Sequence, residues 1–246
     1  QIPAFGAAGG AAAVLAGALA RLALAAGLSR AAPRRPAARR GPGSEGDPAE
    51  GLLATLRADH ARLSEGRARR RSGIAALLRD ALWHKCFRVV AAHRLHRAAR
   101  GLRTPGLRTV AVGLTGLWRR HAGLTLGAEI AWEAEIGPGL RLLHGFGIVV
   151  LPCARIGAGA TLCQGAIIGY RARPEAPSVA LSTGEVADGA FVGPYAHVMA
   201  RLGRGSVLAS HSVLRNPVPD GVAAGGAPAR VLRPLDPREG PGDAAD

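Results

Sequence analysis

Aromatic side chains are scarce in this chain, with four Phe, three Trp and two Tyr among 246 residues. Few of them interleave with the numerous arginines, and no nucleic-acid reader motif is present. The arginine-rich stretches therefore read as solvated helix faces, and no nucleic-acid partner is expected. Cysteine is also rare. Cys86, Cys153 and Cys163 are an odd number with no CxxC spacing, which excludes a disulfide scaffold or a zinc knuckle and suits a reducing, cytoplasmic setting. Lysine is nearly absent, since Lys85 is the single lysine among 32 basic residues. A long uninterrupted apolar run is missing as well. The segment AFGAAGGAAAVLAGALARLALAAGL is mostly Ala and Gly and is broken by Arg21, a charge that costs about 3 kcal/mol in mid-membrane. No basic stretch precedes it, so neither a membrane span nor a signal peptide is expected.

What is present divides the chain. Residues 1–122 hold 22 basic and 6 acidic side chains, against 10 and 11 in residues 123–246, so any anion-seeking property belongs to the first half. Residues 1–50 read as a low-complexity leader or disordered segment, and residues 234–246 as a disordered tail. Residues 51–123 read as helical. LLATLRADHARL is short and amphipathic. Ser72 is placed to cap one helix running to Gly101, with Ile74, Leu77, Leu78, Leu82, Phe87, Val90 and Ala91 near one stripe. Pro105 and Gly106 interrupt the chain before one more helix, ending near Gly123. His60, His84, His93, His96 and His121 in this part read as surface or interface residues.

After Gly123 the period changes to six. Aliphatic residues stand at Ile130, Ile136, Leu142 and Ile148, then at Val150, Ile156, Leu162 and Ile168. Further sets are Val186, Val192 and Val198, and Leu202, Leu208 and Leu214. Neither 3.6 nor 2 residues per repeat generates this pattern. A six-residue unit supplies one short strand and one turn of a β-helix, with the aliphatic side chain pointing inward and stacking on its counterpart one coil away. The phase slips by two residues between Ile148 and Val150. A loop interrupts Ile168 to Val186, and the interval from Val198 to Leu202 is two residues short.

IGPGLRLLHGFGIVVLPCARIGAGATLCQGAIIG and NPVPDGVAAGGAPARVL carry a resemblance to the serine O-acetyltransferases, as a divergent member. Both the slip after the histidine turn and the final A-G-x-P-A-R-like segment are shared, over about residues 73–233. The resemblance implies an all-β, left-handed parallel β-helix over residues 124–233 with a C-terminal cap, preceded by a short helical segment. It further implies a homotrimer or dimer of trimers, acetyl-CoA as co-substrate, and no metal. His144 matches the catalytic histidine. Histidine titrates near neutral pH, so such a residue can take the proton of an acceptor hydroxyl as it attacks the thioester. Adding one 18-residue coil and the two-residue slip sets Gln164 beside His144. Glu133 and Arg171 are further candidates for holding acceptor, and Gly193, Ala209, Gly226, Ala227 and Arg230 for acetyl-CoA. Two departures bear on the acceptor. The family's aspartate immediately before the histidine is Leu143 here, and its Arg-His pair after the loop reads Ser182 and Thr183 by loose alignment. Serine is the acceptor the family implies, with a sugar or natural-product hydroxyl or amine as the alternative. An inactive hexapeptide scaffold and a basic helical module binding an anionic polymer are the readings from other classes.

Overall fold

The structure is a computed structural model that describes residues 48–64, 73–173 and 176–236, with side chains at 51–63, 73–169 and 184–236. Residues 1–47 and 237–246, which hold most of the expected leader and tail, lie outside the described residues. Four helices come first: α1 (Pro48–Ala61), α2 (Ile74–Trp83), α3 (Lys85–Arg100) and α4 (Pro105–Leu126). The expected single helix from Ser72 to Gly101 is broken at His84, whose extended backbone (φ −82, ψ 109) ends α2. The His84 ring then caps α3, its Nδ1 accepting from Phe87 N at 3.3 Å. Ser72 lies outside the described residues. α4 runs past Gly123 to Leu126 and stops at Gly127, which takes the left-handed φ of 63°.

The remainder is a three-faced prism of parallel strands. Face A stacks β1 (Glu129–Ile130), β4 (Val149–Val150), β7 (Ile167–Ile168), β12 (His197–Val198) and β15 (Val213–Leu214). Face B stacks β2 (Glu135–Ile136), β5 (Arg155–Ile156), β10 (Glu185–Val186) and β13 (Arg201–Leu202). Face C stacks β3 (Arg141–Leu143), β6 (Thr161–Cys163), β11 (Phe191–Val192), β14 (Val207–Leu208) and β16 (Val222–Gly226), and is closed by the antiparallel β17 (Ala229–Pro234). β8 (Tyr170–Arg173) and β9 (Ala176–Thr183) form an antiparallel hairpin that leaves the prism between β7 and β10, at the A–B corner.

The six-residue pattern becomes three inward columns. Ile130, Val150, Ile168, Val198 and Leu214 share one register; Ile136, Ile156, Val186 and Leu202 the second; Leu142, Leu162, Val192, Leu208 and Ala224 the third. Nearly all are fully buried, and each aliphatic contributes on the order of 1.5–3 kcal/mol by leaving water. Two positions before each of these stands a corner residue, usually small: Ala134, Ala154, Ala160, Ala166, Ala190, Ala196 and Ala200. Ile148 occupies such a corner position, before Val150, with no exposed surface. The two extra residues at the slip widen that corner, and Ile148 fills it.

Each coil donates to the next. Glu129 N–H reaches Ile148 O at 2.8 Å, Glu135 N–H reaches Ala154 O at 3.0 Å and Arg141 N–H reaches Ala160 O at 3.0 Å. Alternate residues of the first coil's strands turn away from the second coil, so outward carbonyls such as Ile130 O and Ile136 O have no strand partner, an open edge that costs unless it is capped. Helix arginines supply the donors. Arg119 Nη1 donates to Ile130 O at 3.0 Å, Arg97 to Ala134 O, and Arg94 to both Ile136 O and Gly137 O. Arg94 is itself held by Asp59 (Nε to Oδ2, 2.9 Å), and Asp59 Oδ1 accepts from Gly139 N and Leu140 N at 2.7 and 2.9 Å. The reading of these arginines as a solvated face is therefore corrected. The expectation for the histidines changes as well, since His60, His93 and His96 are buried. His60 meets Asp80 at 3.0 Å and His96 meets Thr115 at 3.1 Å.

Candidate active site

His144 sits where the first coil turns from face C to face A. Every coil makes this corner with a left-handed residue, and the series runs Gly127, Gly147, Gly165, Tyr195 and His211. A ladder of hydrogen bonds joins them, from Gly147 N to Gly127 O, Gly165 N to Phe146 O, Tyr195 N to Gln164 O and His211 N to Pro194 O. The corner ladder thus begins at the residue that caps α4. In the widened first turn His144 is left-handed too (φ 52), and Phe146 N donates to His144 O at 2.6 Å. Gly145 wedges the turn against the helices. A Cβ there would stand 3.1 Å from Leu142, 3.3 Å from Leu126 and 3.4 Å from Cys86 Sγ, so a larger residue would push the histidine outward.

The exposed His144 ring borders a cavity of about 1010 Å³ between the prism and the helices. Gln164 lines the same cavity, one coil up, continuing the register that pairs Arg141 with Thr161 and Leu143 with Cys163. Trp83, His84, Lys85 and Cys86, around the start of α3, form the opposite wall with Leu126 and Thr125 of α4. The sequence pattern offered one hint of this wall, the placing of the single lysine. Cys163, on the strand beside Leu143, is no competing nucleophile, because burial pushes its thiol up to about 11.

The other expected site residues divide. Gly193 and Ala209 lie on adjacent coils of face C, where Gly193 N donates to Leu208 O at 2.8 Å and Ala209 N to Ala224 O at 2.8 Å. Gly226 and Ala227 form the hairpin end above them; Gly226 has φ 98, its N–H donates to Ser212 Oγ at 3.1 Å, and Ala227–Pro228 is cis. Arg230 is exposed on the returning strand, opposite Gly225. These residues follow the edge of face C upward from Gln164. Glu133 is elsewhere. It stands at the A–B corner, near enough to His96 to act on its ring, and within one chain it shares no cavity with His144. Glu135 is on face B and pairs with Arg155 at 3.4 Å. The side chains of Arg171, Ser182 and Thr183 lie outside the described residues, and their hairpin leaves from the A–B corner rather than from that of His144. One feature had no sequence signal: Tyr195 and His211 stack with centroids 5.2 Å apart and planes at 13°, two and three coils above His144 on the same corner.

No family model matches the chain. It is 28% identical over 153 residues to the serine acetyltransferase of Escherichia coli (strain K12), covering 61% of this chain and 52% of that protein. To serine acetyltransferase 2 of Arabidopsis thaliana it is 25% identical over 150 residues, covering 58% and 43%. At this modest identity the chain is similar to serine acetyltransferases. It spans about half the length of the curated relatives it matches. Among solved structures, the serine acetyltransferase of Brucella abortus strain S19 superposes with a TM-score of 0.59 at 20% identity, over 77% of this chain and 74% of that one. A serine acetyltransferase in complex with CoA superposes with a TM-score of 0.56 at 20% identity, over 74% and 70%. The prism is the left-handed parallel β-helix of those structures.

Proposed function

We propose that this chain is an acetyl-CoA-dependent O-acetyltransferase with His144 as its general base. The acceptor oxygen attacks the thioester carbonyl while the imidazole takes its proton. The carbon–sulfur bond of the tetrahedral adduct then breaks, and the departing thiolate receives that proton, giving an acetyl ester and free CoA. Gln164 is suited to hold acceptor or water through its amide. Gly193, Ala209 and the Gly226–Ala227 hairpin offer small side chains and backbone groups along which the acetyl-CoA arm can run toward His144. Serine is the acceptor that the relatives' name supplies. Assembly as a homotrimer, or a dimer of such trimers, accords with the half-buried outward column of Val149, Ile167 and Val213 on face A. No described helix is long and apolar enough to cross a membrane, and the three free cysteines suit a cytoplasmic enzyme.

The observation that carries this reading is the placement of His144 on a widened turn, facing a cavity it shares with Gln164. Thiol release from acetyl-CoA, followed against a panel of hydroxyl acceptors, tests it. Loss of a general base lowers turnover roughly 10²–10⁴-fold, so His144→Ala should fall by that factor while retaining its melting temperature. A fully active His144→Ala protein would overturn the assignment.

A further inference from the structure

One face of α4 is left uncovered by the described fold. Its buried residues turn inward: Ala111 packs with Ala99 and Leu102, Thr115 meets His96 of α3 at 3.1 Å, and Ala122 joins the core of the prism. Beside them runs a row of other residues, Leu107, Val110, Leu114, Leu117, His121 and Leu124. Its steps alternate between three and four residues. That spacing holds the row to one stripe of the helix, the arrangement of a seam between two packed helices. Every residue of the row is exposed, Leu117 to 69% and Leu124 to 72%. Single leucines at a surface need no explanation, whereas a line of large aliphatic side chains in one register over about 25 Å does.

We propose that this stripe packs against the α4 stripe of a second copy of the chain, a contact separate from the outward column of face A and independent of the acyl-transfer reading. The seam spacing is self-complementary, as a contact between identical surfaces requires. Leu107, Val110, Leu114, Leu117 and Leu124 together expose about 500 Å² of apolar surface, and two such stripes bury about 1,000 Å², the size at which a specific interface begins. The adjoining row, in steps of seven, is Gly106, Gly113 and Arg120. A Cβ at either glycine meets nothing within 4 Å, so a second helix can approach to the axis distance of packed helices. α4 holds no aspartate or glutamate, and the rim cation Arg120 has its like on the second copy. The contact therefore gains by burial of apolar surface and not by ion pairing.

Sedimentation velocity of the full chain, at one fixed micromolar concentration, tests this. Leu114→Glu with Leu117→Glu sets two carboxylates on the stripe, and Leu114→Met with Leu117→Met keeps it apolar. The Glu pair should at least halve the sedimenting mass, and the Met pair should keep the mass of the unaltered chain. Both positions are exposed, so both variants are expected to fold, which an unchanged circular dichroism spectrum confirms. Should the Glu pair lose helical signal, Leu117→Asn alone serves the same comparison. Raising NaCl from about 0.1 to about 0.5 M screens the facing Arg120 charges and should keep or raise the mass of the unaltered chain. An unaltered chain that sediments as a monomer would overturn the proposal, as would a Glu pair of unchanged mass. In the latter case a lowered melting temperature would assign the stripe to a segment of the same chain, and loss of binding to phosphatidylserine vesicles would assign it to a lipid surface. Dissociation of the unaltered chain by salt would also overturn the proposal, since an ionic contact would then hold the copies.

Discussion

Removing Arg94 should unfasten the helices from the prism, and the structure sets the scale of the effect. The guanidinium is 8% exposed and its partner Asp59 wholly buried. Arg94→Met keeps most of the aliphatic stem but leaves the Asp59 carboxylate without its cation, and removes the donors to Ile136 O and Gly137 O. Breaking a buried pair from one side costs about 3–5 kcal/mol, far above the value of an exposed ion pair. For a chain of this size that corresponds to a fall of roughly 6–20 °C in melting temperature. Asp59→Asn together with Arg94→Met removes both charges, while the Asn Oδ1 can still accept from Gly139 and Leu140. This double variant should regain about 1–2 kcal/mol over Arg94→Met alone, the part due to the stranded carboxylate. Urea unfolding followed by circular dichroism, at one fixed chain concentration, measures all three. An Arg94→Met protein within 1 kcal/mol of the parent would refute the idea that the helix arginines cap the open end of the prism, as would a double variant no more stable than the single one.

Other consequences are open to simpler tests. His93 is buried and its pKa is pushed down to about 3, chiefly by burial and then by Arg94 and Arg97, against a smaller opposing effect of the Ala131 backbone. The unfolded chain, with a histidine near 6.5, binds the proton first, so stability is full above about pH 6.5 and declines as pH falls toward 3. Between pH 7 and 5 the loss from this residue is about 2 kcal/mol, and His93→Leu should flatten the pH dependence of urea midpoints by that amount; an unchanged slope would remove His93 as its cause. Gly193→Ala places a Cβ 2.7 Å from Leu208 O and 2.8 Å from Ser210 N on the next coil. It should cost roughly 1–3 kcal/mol with no ligand present, and a loss of CoA affinity without loss of stability would show that the glycine matters only for binding. Cys163, buried and with its pKa raised, should react with iodoacetamide at pH 8 more slowly than the half-buried Cys86 or Cys153, as mass mapping of the modified peptides would reveal.

The prism was legible because one physical rule repeats. An aliphatic side chain every sixth residue has only the interior of a coil to occupy, and Ile136, Ile156, Val186 and Leu202 stack as that rule requires. The slip after His144 was legible for the same reason, since a lapse in a regular series is as informative as the series. The same rule, however, puts Ile148 in the series of strand residues, whereas it fills a corner. Counting alone does not separate the two, because both point inward. The helical part was less legible. An arginine that reaches the backbone carbonyls of a distant coil and one that faces water look alike in sequence. Arg94, Arg97 and Arg119 are distinguished only by their place against the open edge of β1 and β2. The burial of His60 and His96 likewise depends on Asp80 and Thr115, partners 20 and 19 residues away. Of the candidate site, the pairing of His144 with Gln164 follows from coil length. The wall made by Trp83, Lys85 and Leu126 follows from how the helices dock, which no local pattern encodes.

The docking of the helices also gives a reason for the position of the candidate site. In the upper coils, the corner of His144 is enclosed by a coil on each side: Gly165 lies under the Tyr195 ring, and Tyr195 under His211. Strands about 4.8 Å apart leave no room there for a substrate beside a catalytic side chain. Only the first coil has no coil beneath it. Its unpaired carbonyls require a cap of another kind, and helices supply it through arginines that reach the A and B sides from α3 and α4. On the C side the same helices meet the widened turn at Gly145, beside Leu126 and Cys86, and the space next to that contact is the cavity that His144 faces. The cap and the cavity therefore share one cause. Loosening the cap through Arg94 should disturb the cavity wall that carries Lys85, since both residues belong to α3. Arg94→Lys, which keeps a cation beside Asp59 but not the forked set of donors, should then raise KM for the acceptor more than it lowers kcat. An Arg94→Lys protein with an unchanged KM would separate the cap from the site.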